Sequence, residues 1–352
     1  MKERLLIINK EQFGSLTDSY KWCQYLRDDY DITFICFDSG RDKLSQDGVI
    51  VKYVSPGGPK VLRAIRFLLY CCLEIIKLNS KVIVVYFENC HILKILFPKI
   101  PMQMDIRTLA VSGNQKFRSR YDSGISKSAK YFDAVSVISE PIRDLLGLKG
   151  GKIHILPLGA DVISDVPKNF DTLKLLYVGT LNGRNISQTL IGLQDFIMKN
   201  NNVAVTYDIV GDGHEYEILR NLIMELDLSK IVTLHGRISY DKLKPFFDSC
   251  NVGISFIPIV DYYNNQPPTK IYEYALSGLY QIATATNANR RLINDFNGIL
   301  VGDSSEDFSA ALSAVYNKRT MLDEDAIRNS LGHSTWDKIV GKELKAILYK
   351  LN

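Results

Sequence analysis

The 352-residue chain is long enough for two domains of ordinary size, and its 46% hydrophobic and 23% charged residues are typical of a globular protein. A net charge of +4, without a stripe of basic and aromatic residues, argues against a nucleic-acid-binding protein. The six cysteines include no Cys-x-x-Cys pair, which favours buried, reduced thiols over a zinc site or a disulfide framework.

The first half of the chain alternates between strand-like and helix-like segments. Runs rich in β-branched and aromatic residues predict strands at residues 4–9, 31–37, 49–54, 81–86, 102–106, 134–138 and 153–156. Segments with helical periodicity, such as 18–27, separate these strands. This alternation is typical of a parallel sheet covered by helices on both faces.

The N-terminal segment 1–10 has a charged start and only a short apolar run. We interpret it as a first strand rather than a signal peptide, which predicts a cytoplasmic protein.

Residues 59–78 combine long apolar stretches with five charged side chains. Five charges argue against a membrane-spanning helix. Two interpretations remain, a half-buried helix or an interfacial helix in contact with an anionic membrane. Residues 1–165 contain 24 Lys and Arg against 18 Asp and Glu, so this basic half suits a membrane surface or a polyanionic acceptor.

The same alternation begins again after a linker at 165–171. Strands are predicted at 173–178, 203–210, 231–234, 252–257 and 279–283, with helices at 185–199, 215–226, 239–249 and 269–277. The chain is therefore predicted to be an α/β protein with two tandem Rossmann-like domains, residues 1–165 and 166–335. We expect a ligand in the cleft between them, at the carboxyl ends of the strands.

Three strands of the predicted second domain are followed by glycine turns that carry polar side chains. The turns contain Gly179, Thr180 and Arg184 after the first strand, Gly211 after the second, and Arg237 after the third. One glycine turn is weak evidence, because many strand-to-helix turns need glycine for steric reasons. Three turns with two arginines at one sheet edge predict a phosphate site, since arginine pairs bidentately with phosphate.

The segment 265–285 predicts a helix that begins at an anion site. Pro268 and Thr269 suit its first turn, where unpaired backbone N–H groups favour an anion. Lys270 in that turn opposes the helix dipole unless an anion lies in front of it. Glu273 follows one turn later, on the same face. This anion site with a carboxylate beside it would fit a phosphate and a pair of sugar hydroxyls. The alternative interpretation is a capped surface helix in which Lys270 and Glu273 form an ion pair.

The predicted first domain offers four candidate residues. Gly14 follows the first strand and allows a ligand to approach the backbone, or it marks a plain turn. Asp105 and Arg107 end a strand and form either a polar site or a structural ion pair. His91 is either a ligand for a sugar or a histidine on a helix surface.

Several blocks follow one another in the chain: FDAVSVISEPIRDLL, KIHILPLGADV, LLYVGTLNGR, YDIVGDGHEYEILRNL, VTLHGRISYDKLKPFFDSCNVGISFIP, PPTKIYEYALSG, FNGILV and STWDKIVGKELKAILYKL. In this order they resemble the retaining GT-B glycosyltransferases of family four. The resemblance covers about 230 residues, and residues 1–130 resemble the family in architecture only. The last block resembles a C-terminal helix, residues 336–352, that crosses back onto the first domain.

The resemblance implies roles for the residues of the second domain. Glu273 matches a glutamate that accepts hydrogen bonds from a ribose, Thr269 matches a backbone amide donor to the diphosphate, and Lys270 matches a lysine of polysaccharide-building members. Asn265 stands where the family often has a first glutamate, and Thr180 replaces the arginine that follows its first strand. Arg184 is the cation nearest to the position of the family's loop lysine.

The implied reaction transfers a sugar with retention from a UDP- or GDP-linked donor to a glycan or a lipid-linked glycan, as in the synthesis of a bacterial surface polysaccharide. Arg184, Lys270 and Glu273 are the implied catalytic residues; Gly179, Thr180, Gly211, Arg237, Asn265 and Thr269 would bind the donor. No metal and no cofactor are expected, because cations would stabilise the leaving diphosphate.

Two alternatives remain open. The first is an inactive GT-B subunit that binds a partner transferase. It remains open because Asn265, Thr180 and Pro268 differ from the residues that are usual in the resembled family. The second is a nucleotide-sugar epimerase, which would need clustered carboxylates and histidines for proton transfer. The sequence contains five histidines with no obvious cluster.

Overall fold

The computed structural model describes residues 2–200 and 203–351. The chain divides into two compact units, one formed by residues 1–159 with 336–352 and the other by residues 160–335.

The first unit contains a parallel seven-stranded sheet in the order β3-β2-β1-β4-β5-β6-β7 within the described residues. Its strands are β1 (Glu3–Ile8), β2 (Tyr30–Phe37), β3 (Val49–Val54), β4 (Lys81–Val85), β5 (Met102–Ile106), β6 (Ala134–Val137) and β7 (Ile153–Ile155). The central strands are almost continuously apolar because helices cover both faces of the sheet.

Five helices of the first unit follow its strands along the described chain. They are α1 (Thr17–Leu26), α2 (Lys60–Leu78), α3 (His91–Leu96), α4 (Gln115–Ala129) and α5 (Glu140–Leu145). Asn114 caps α4, since its side-chain oxygen accepts a hydrogen bond from the amide of Phe117.

The second unit contains a parallel sheet in the order β10-β9-β8-β11-β12-β13. Its strands are β8 (Leu173–Val178), β9 (Val205–Val210), β10 (Val232–Gly236), β11 (Val252–Ser255), β12 (Tyr280–Thr284) and β13 (Gly298–Val301). The first five correspond to the predicted strands. β13 adds a sixth strand that the sequence analysis did not predict.

The helices of the second unit pack around this sheet. They are α6 (Ile186–Lys199), α7 (Tyr216–Glu225), α8 (Lys244–Ser249), α9 (Asp261–Asn264), α10 (Thr269–Leu276), α11 (Ser305–Lys318) and α12 (Glu324–Ser330). The single helix predicted at 239–249 is in fact a 3-10 turn, Tyr240–Lys242, followed by the short α8. Pro245 accounts for the break, because proline is favoured in the first turn of a new helix.

Tyr274 fixes α10 against the sheet. Its ring is fully buried, and its hydroxyl accepts a hydrogen bond from the amide of Val178 at 2.9 Å. Gly253 allows this packing, because a Cβ at that position would overlap the ring of Tyr274. The start of α10 is thereby held beside the end of β8.

The C-terminal segment, residues 336–352, belongs to the first unit. It comprises α13 (Trp336–Lys338), a π-helical stretch (Ile339–Leu344) and α14 (Lys345–Lys350). The ring of Trp336 is buried in the core of the first unit and lies against Gly159, where a Cβ would be only 2.5 Å from the ring. Lys81 adds a hydrogen bond from its Nζ to the carbonyl of Leu348 at 3.0 Å.

The segment after Gly159 belongs to the second unit, so the predicted boundary after residue 165 falls within that unit. Hydrogen bonds explain the difference. The amides of Ile163 and Ser164 donate to the hydroxyl of Ser277 at 3.1 and 3.2 Å, and Arg328 donates to the carbonyl of Ser164 at 2.7 Å. These bonds fix the segment on the second unit before the first strand of that unit begins.

Candidate functional site

The candidate site lies at the carboxyl-terminal edge of the sheet in the second unit. Because all strands of this sheet are parallel, the turns after β8, β9 and β10 emerge at the same edge. The sheet order places β8 beside β9 and β11. The start of α10 reaches this edge through the contact between Tyr274 and β8.

The first turn of α10 carries no side-chain cap. Pro268, the residue before the helix, has an extended backbone and makes no capping hydrogen bond through its side chain. The first N–H groups of a helix lack partners within it and carry the positive end of the helix dipole. Thr269 and Lys270 are the first two residues of this helix. This arrangement favours an anion.

Lys270 is partly buried beside the turn that follows β8. Its Nζ lies 3.9 Å from the ring centroid of Tyr177, and a Cβ at Gly179 would be 2.9 Å from the same Nζ. Burial and the nearby charge of Arg184 lower the pKa of Lys270 to about 7, while Glu273 opposes this shift. The ammonium group is therefore held in a position where its charge is costly without a bound anion.

Arg184 is the second cation at this edge. Its guanidinium lies 4.5 Å from the ring centroid of Tyr263. Its Nη1 is buried and has no hydrogen-bond acceptor in the part of the chain that the structure describes. A buried donor without an acceptor costs free energy, so this atom is ready to donate to a ligand.

Hydrogen bonds between two turns position Arg184. The amide of Gly183 donates to a carboxylate oxygen of Glu215 at 2.6 Å, and the amide of His214 donates to the side-chain oxygen of Asn182 at 2.6 Å. The turns after β8 and β9 are thereby fixed to each other. Asn185 takes a left-handed conformation with a φ of 54°, which starts α6 directly after Arg184.

Glu273 lies one helical turn after Lys270 and is 8% exposed. The hydroxyl of Tyr240 donates to Asp161 at 3.1 Å and also interacts with Glu273. Burial raises the pKa of Tyr240, and the two carboxylates raise it further. The Glu273 carboxylate therefore stays close to a hydroxyl group in the unliganded protein. A ligand hydroxyl would find the same acceptor.

The predicted glycines and Thr180 shape the turns after β8 and β9. A Cβ at Gly211 would overlap the carbonyl oxygen of Gly179, so the two turns approach each other through their backbones. The hydroxyl of Thr180 accepts the amide of Asn182 at 3.2 Å, and its carbonyl accepts the Tyr177 hydroxyl at 2.7 Å. Thr180 thus holds the turn that carries Arg184.

Asn265 and Arg237 lie in two other segments of this unit. The side-chain oxygen of Asn265 accepts a hydrogen bond from the amide nitrogen of the Asn287 side chain at 3.3 Å. This contact links the segment before α10 to the turn after β12. Arg237 is exposed and directly follows β10. Its neighbour His235 lies 2.6 Å from a carboxylate oxygen of Asp208.

Of the four candidates in the first unit, Asp105 and Arg107 form a buried ion pair. Arg107 donates to both carboxylate oxygens of Asp105 at 2.7 and 2.8 Å, to Asp18 at 3.1 Å, and to the carbonyl of Leu156 at 2.8 Å. Its guanidinium also lies 5.3 Å from the ring of Trp22. Asp105 is completely inaccessible to solvent and Arg107 is 8% exposed, so the pair lies inside the first unit.

Gly14 and His91 have structural neighbours of their own. Gly14 has a φ of 85°, and a Cβ there would overlap the side chain of Leu44. His91 begins α3, its Nδ1 lies 3.1 Å from the hydroxyl of Ser128, and its ring stacks on Tyr131. These contacts account for a glycine at position 14 and a histidine at position 91 without a bound ligand.

Within residues 2–200 and 203–351, no group of three or more His, Cys, Asp and Glu side chains is arranged to hold a metal ion. In the same residues, no helix is long and apolar enough to cross a membrane.

The sequence analysis missed the aromatic side chains of the site. Tyr177 and Tyr263 lie beside the two cations, and Tyr240 contacts the Glu273 carboxylate. Tyr177 occupies a buried position of β8 and gave no signal beyond strand periodicity. The three tyrosines come from separate elements, so only the folded chain shows that they meet the charged residues.

Residues 172–318 match the family model described as "Glycosyl transferases group 1". The match covers less than half of the chain and includes both cations and Glu273. A search of curated proteins found no match.

Solved structures resemble the whole chain at low sequence identity. Sucrose-phosphate synthase from Thermosynechococcus elongatus is 14% identical with a TM-score of 0.79, and the match covers 99% of this chain and 98% of that one. HepE of Anabaena in complex with UDP is 13% identical, with a TM-score of 0.75 and coverage of 99% and 100%. The lipopolysaccharide outer core galactosyltransferase WaaB is 15% identical, with a TM-score of 0.72 and coverage of 99% and 99%.

At these identities the structural likeness concerns the fold. The protein has the GT-B fold, and its second unit matches the glycosyltransferase group 1 model.

Proposed function

We propose that this protein is a retaining glycosyltransferase that acts in the cytoplasm. It transfers a sugar from a UDP- or GDP-linked donor to a hydroxyl of a glycan or a lipid-linked glycan. The second unit binds the donor and the first unit binds the acceptor.

One observation carries the proposal: two cations and a helix start meet at the edge of one sheet. Lys270 has a lowered pKa and Arg184 has a buried donor atom without an acceptor, so both gain from a bound anion. The uncapped first turn of α10, which begins at Thr269, adds backbone N–H groups. A diphosphate supplies enough oxygens for all three.

The nucleoside part of the donor would account for the position of the Glu273 carboxylate. Its carboxylate already lies near the Tyr240 hydroxyl, so it is suited to accept hydrogen bonds from a ribose hydroxyl pair. Gly179 and Gly211 leave their backbones open to close approach, and Arg237 is exposed after β10. Asn265 and Thr180 shape the segments around the donor.

The neighbours support the choice of donor and acceptor. HepE of Anabaena has been solved with UDP and with UDP-glucose, and a pneumococcal O-GlcNAc transferase with UDP and GlcNAc. WaaB is a galactosyltransferase of the lipopolysaccharide outer core. UDP is therefore the first nucleotide to test, and a cell-surface glycan is the first acceptor.

Catalysis would depend on stabilisation of the negative charge that develops on the leaving diphosphate. Negative charge builds up on the diphosphate as the bond to the sugar breaks, and fixed cations lower the energy of that state. Lys270 and Arg184 would supply this stabilisation in place of a metal ion. Removal of one such contact typically costs about 3 kcal/mol, or roughly a hundredfold in rate.

A turnover assay tests the proposal. Thermal shifts with UDP, GDP, ADP, CMP and dTDP first identify the nucleotide. Release of that nucleotide from its sugar is then followed by NMR in the presence of extracted lipid-linked glycans, with and without EDTA. We expect release with retained anomeric configuration in both conditions, and roughly a hundredfold slower release in Lys270→Ala.

Two results would count against the proposal. Inverted product configuration would contradict the retaining mechanism, and a loss of turnover with EDTA would contradict the role of the cations. Nucleotide binding without turnover on any glycan would favour the inactive GT-B subunit, the alternative raised by Asn265 at a position where the resembled family often has a glutamate.

A further inference from the structure

Helix α2 of the first unit has two apolar faces, and one of them is exposed. The buried face consists of Phe67, Cys71 and Ile75, and Phe67 packs against the rings of Phe37 and Phe87. The exposed apolar residues are Val61, Leu62, Ile65, Leu69, Leu73 and Ile76. Each of them is 47% exposed or more.

These exposed residues form a continuous stripe along the helix. The last five follow one another at intervals of three or four residues, which places them on one side of the helix. α2 spans 19 residues, so the stripe runs along about 28 Å of helix. α3 contacts α2 and adds the exposed Ile95 and Leu96. Apolar patches of this kind on a protein surface mark interaction sites.

The charges near the stripe select the partner. α2 contains four basic residues against one acidic residue, Glu74. At about 100° per residue, Arg66 and Lys77 border the stripe, while the buried face lies on the far side of the helix. The first unit as a whole contains 28 Lys and Arg against 18 Asp and Glu, a net charge of +10. An apolar stripe flanked by basic residues on a basic unit complements an anionic lipid surface.

A second copy of the chain is a poorer partner for the same surface. Two α2 helices in contact would bring their basic residues together, with only Glu74 on each helix to offset them. The same charges prevent α2 from crossing the bilayer. The helix therefore suits the interface of the membrane, with the apolar stripe in the acyl region and the basic residues at the headgroups.

We propose that α2, with the exposed residues of α3, is a membrane-docking surface that binds anionic phospholipid. This surface lies in the first unit and contains none of the residues of the nucleotide site in the second unit, so the two proposals are independent.

Sedimentation with vesicles tests lipid binding. We expect the full-length protein to sediment with vesicles of phosphatidylcholine and phosphatidylglycerol, to remain in solution with phosphatidylcholine alone, and to dissociate as NaCl is raised. The double variant Leu69→Gln/Leu73→Gln should bind at least about tenfold more weakly. Lys77→Gln removes one of the two basic residues that border the stripe, and it should bind anionic vesicles about fivefold more weakly.

A matched control separates the stripe from general surface hydrophobicity. Ile218 and Met224 on α7 are both 59% exposed, so Ile218→Gln/Met224→Gln removes similar apolar area from the second unit. This variant should bind vesicles like the native protein. All variants should keep the native melting temperature and nucleotide affinity, because the substituted side chains are exposed.

A fluorescence probe places the helix at the membrane. Both native tryptophans, Trp22 and Trp336, are buried, so Leu69→Trp adds the one exposed indole among the described residues. We expect its emission to shift to shorter wavelength with anionic vesicles and to be quenched by brominated lipid.

Three outcomes would overturn the inference. The native protein could fail to sediment, the Leu69→Gln/Leu73→Gln variant could bind as tightly as the native protein, or ultracentrifugation could show a dimer that this variant abolishes. If the first outcome occurred while nucleotide binding persisted, the membrane inference alone would fail.

Discussion

At the scale of single residues, the site is defined by two cations in costly positions. The ammonium group of Lys270 lies against Tyr177 and near Arg184, and burial lowers its pKa to about 7. The buried Nη1 of Arg184 has no acceptor within the described residues. Such an arrangement costs stability in the free protein and gains free energy when an anion binds.

The pKa of Lys270 predicts a pH-dependent affinity. In the free protein Lys270 is charged below about pH 7, and a bound diphosphate favours the charged form. The affinity for UDP-glucose, whose diphosphate keeps its charge in this range, should therefore fall as pH rises above 7, by at most about tenfold per pH unit. Calorimetry in buffers of different ionisation enthalpy should show proton uptake on binding.

Lys270→Arg is the control for this prediction. Arginine stays charged throughout the range, so the variant's affinity should not vary with pH. A native affinity that is independent of pH, without proton uptake, would contradict the pKa argument.

The same burial predicts that Lys270→Met stabilises the free protein. The folded protein binds a proton at Lys270 less readily than the unfolded chain, so its charge is unfavourable below pH 7. Replacement by methionine should raise the free energy of unfolding by about 0.5–2 kcal/mol below pH 7, and by less as pH rises through 7. Denaturant unfolding of the variant and the native protein, below and above pH 7, measures the difference in their free energies of unfolding. A less stable variant below pH 7 would show that the charge is already compensated.

At the scale of elements, the approach of two turns shapes the site. Gly211 after β9 lies so close to the carbonyl of Gly179 after β8 that a side chain does not fit. The turn after β8 also carries Arg184 and faces Lys270. Any displacement of these turns should therefore affect both stability and nucleotide binding.

Gly211→Ala tests this coupling. Its Cβ would meet backbone atoms, so the turns must separate, and we expect a loss of about 2 kcal/mol or more of stability together with weaker binding of UDP. Gly332→Ala is the control, since its Cβ would make ordinary contacts at 3.5 Å or more and should change stability by less than about 0.5 kcal/mol. Equal effects of the two substitutions would rule out the coupling.

The predictable elements were those with a strong local pattern. β3, β5 and β8 match their predicted bounds because β-branched and aromatic runs mark buried parallel strands. The start of α10 at Thr269 was also predicted, from Pro268 and the residues after it. β13 was missed because it is short and contains Gly298 in a sequence that resembles a turn.

Contacts between distant segments could not be predicted. The sequence identified Lys270, Arg184 and Glu273 by type and position, but not Tyr177 and Tyr263 beside the cations. The first boundary was misplaced for a similar reason. Hydrogen bonds to Ser277 fix the segment after Gly159 to the second unit. No local sequence pattern indicates these bonds.

At the scale of the whole molecule, each unit has its own core, and the chain returns to the first unit at its end. Trp336 completes that core, although it follows the entire second unit in sequence. The structure thus assigns the two ends of the chain to one unit. A perturbation at Trp336 should therefore act first on the first unit.

Trp336→Ala tests this assignment. Loss of the buried ring should cost about 3–5 kcal/mol of stability. Hydrogen exchange should increase in α1, α13 and α14, while UDP should still protect the segments after β8 and β9. Faster exchange that is confined to the second unit would contradict the assignment.

The most direct test of the account is a calorimetric titration of the native protein, Glu273→Ala and Glu217→Ala with UDP-glucose and GDP-mannose. Glu217 is a surface glutamate of the same unit, paired with Arg220. We predict that the native protein and Glu217→Ala bind one of the two donors equally well, and that Glu273→Ala binds it at least about tenfold more weakly. Binding of neither donor, or equal binding by Glu273→Ala, would contradict the proposed donor site.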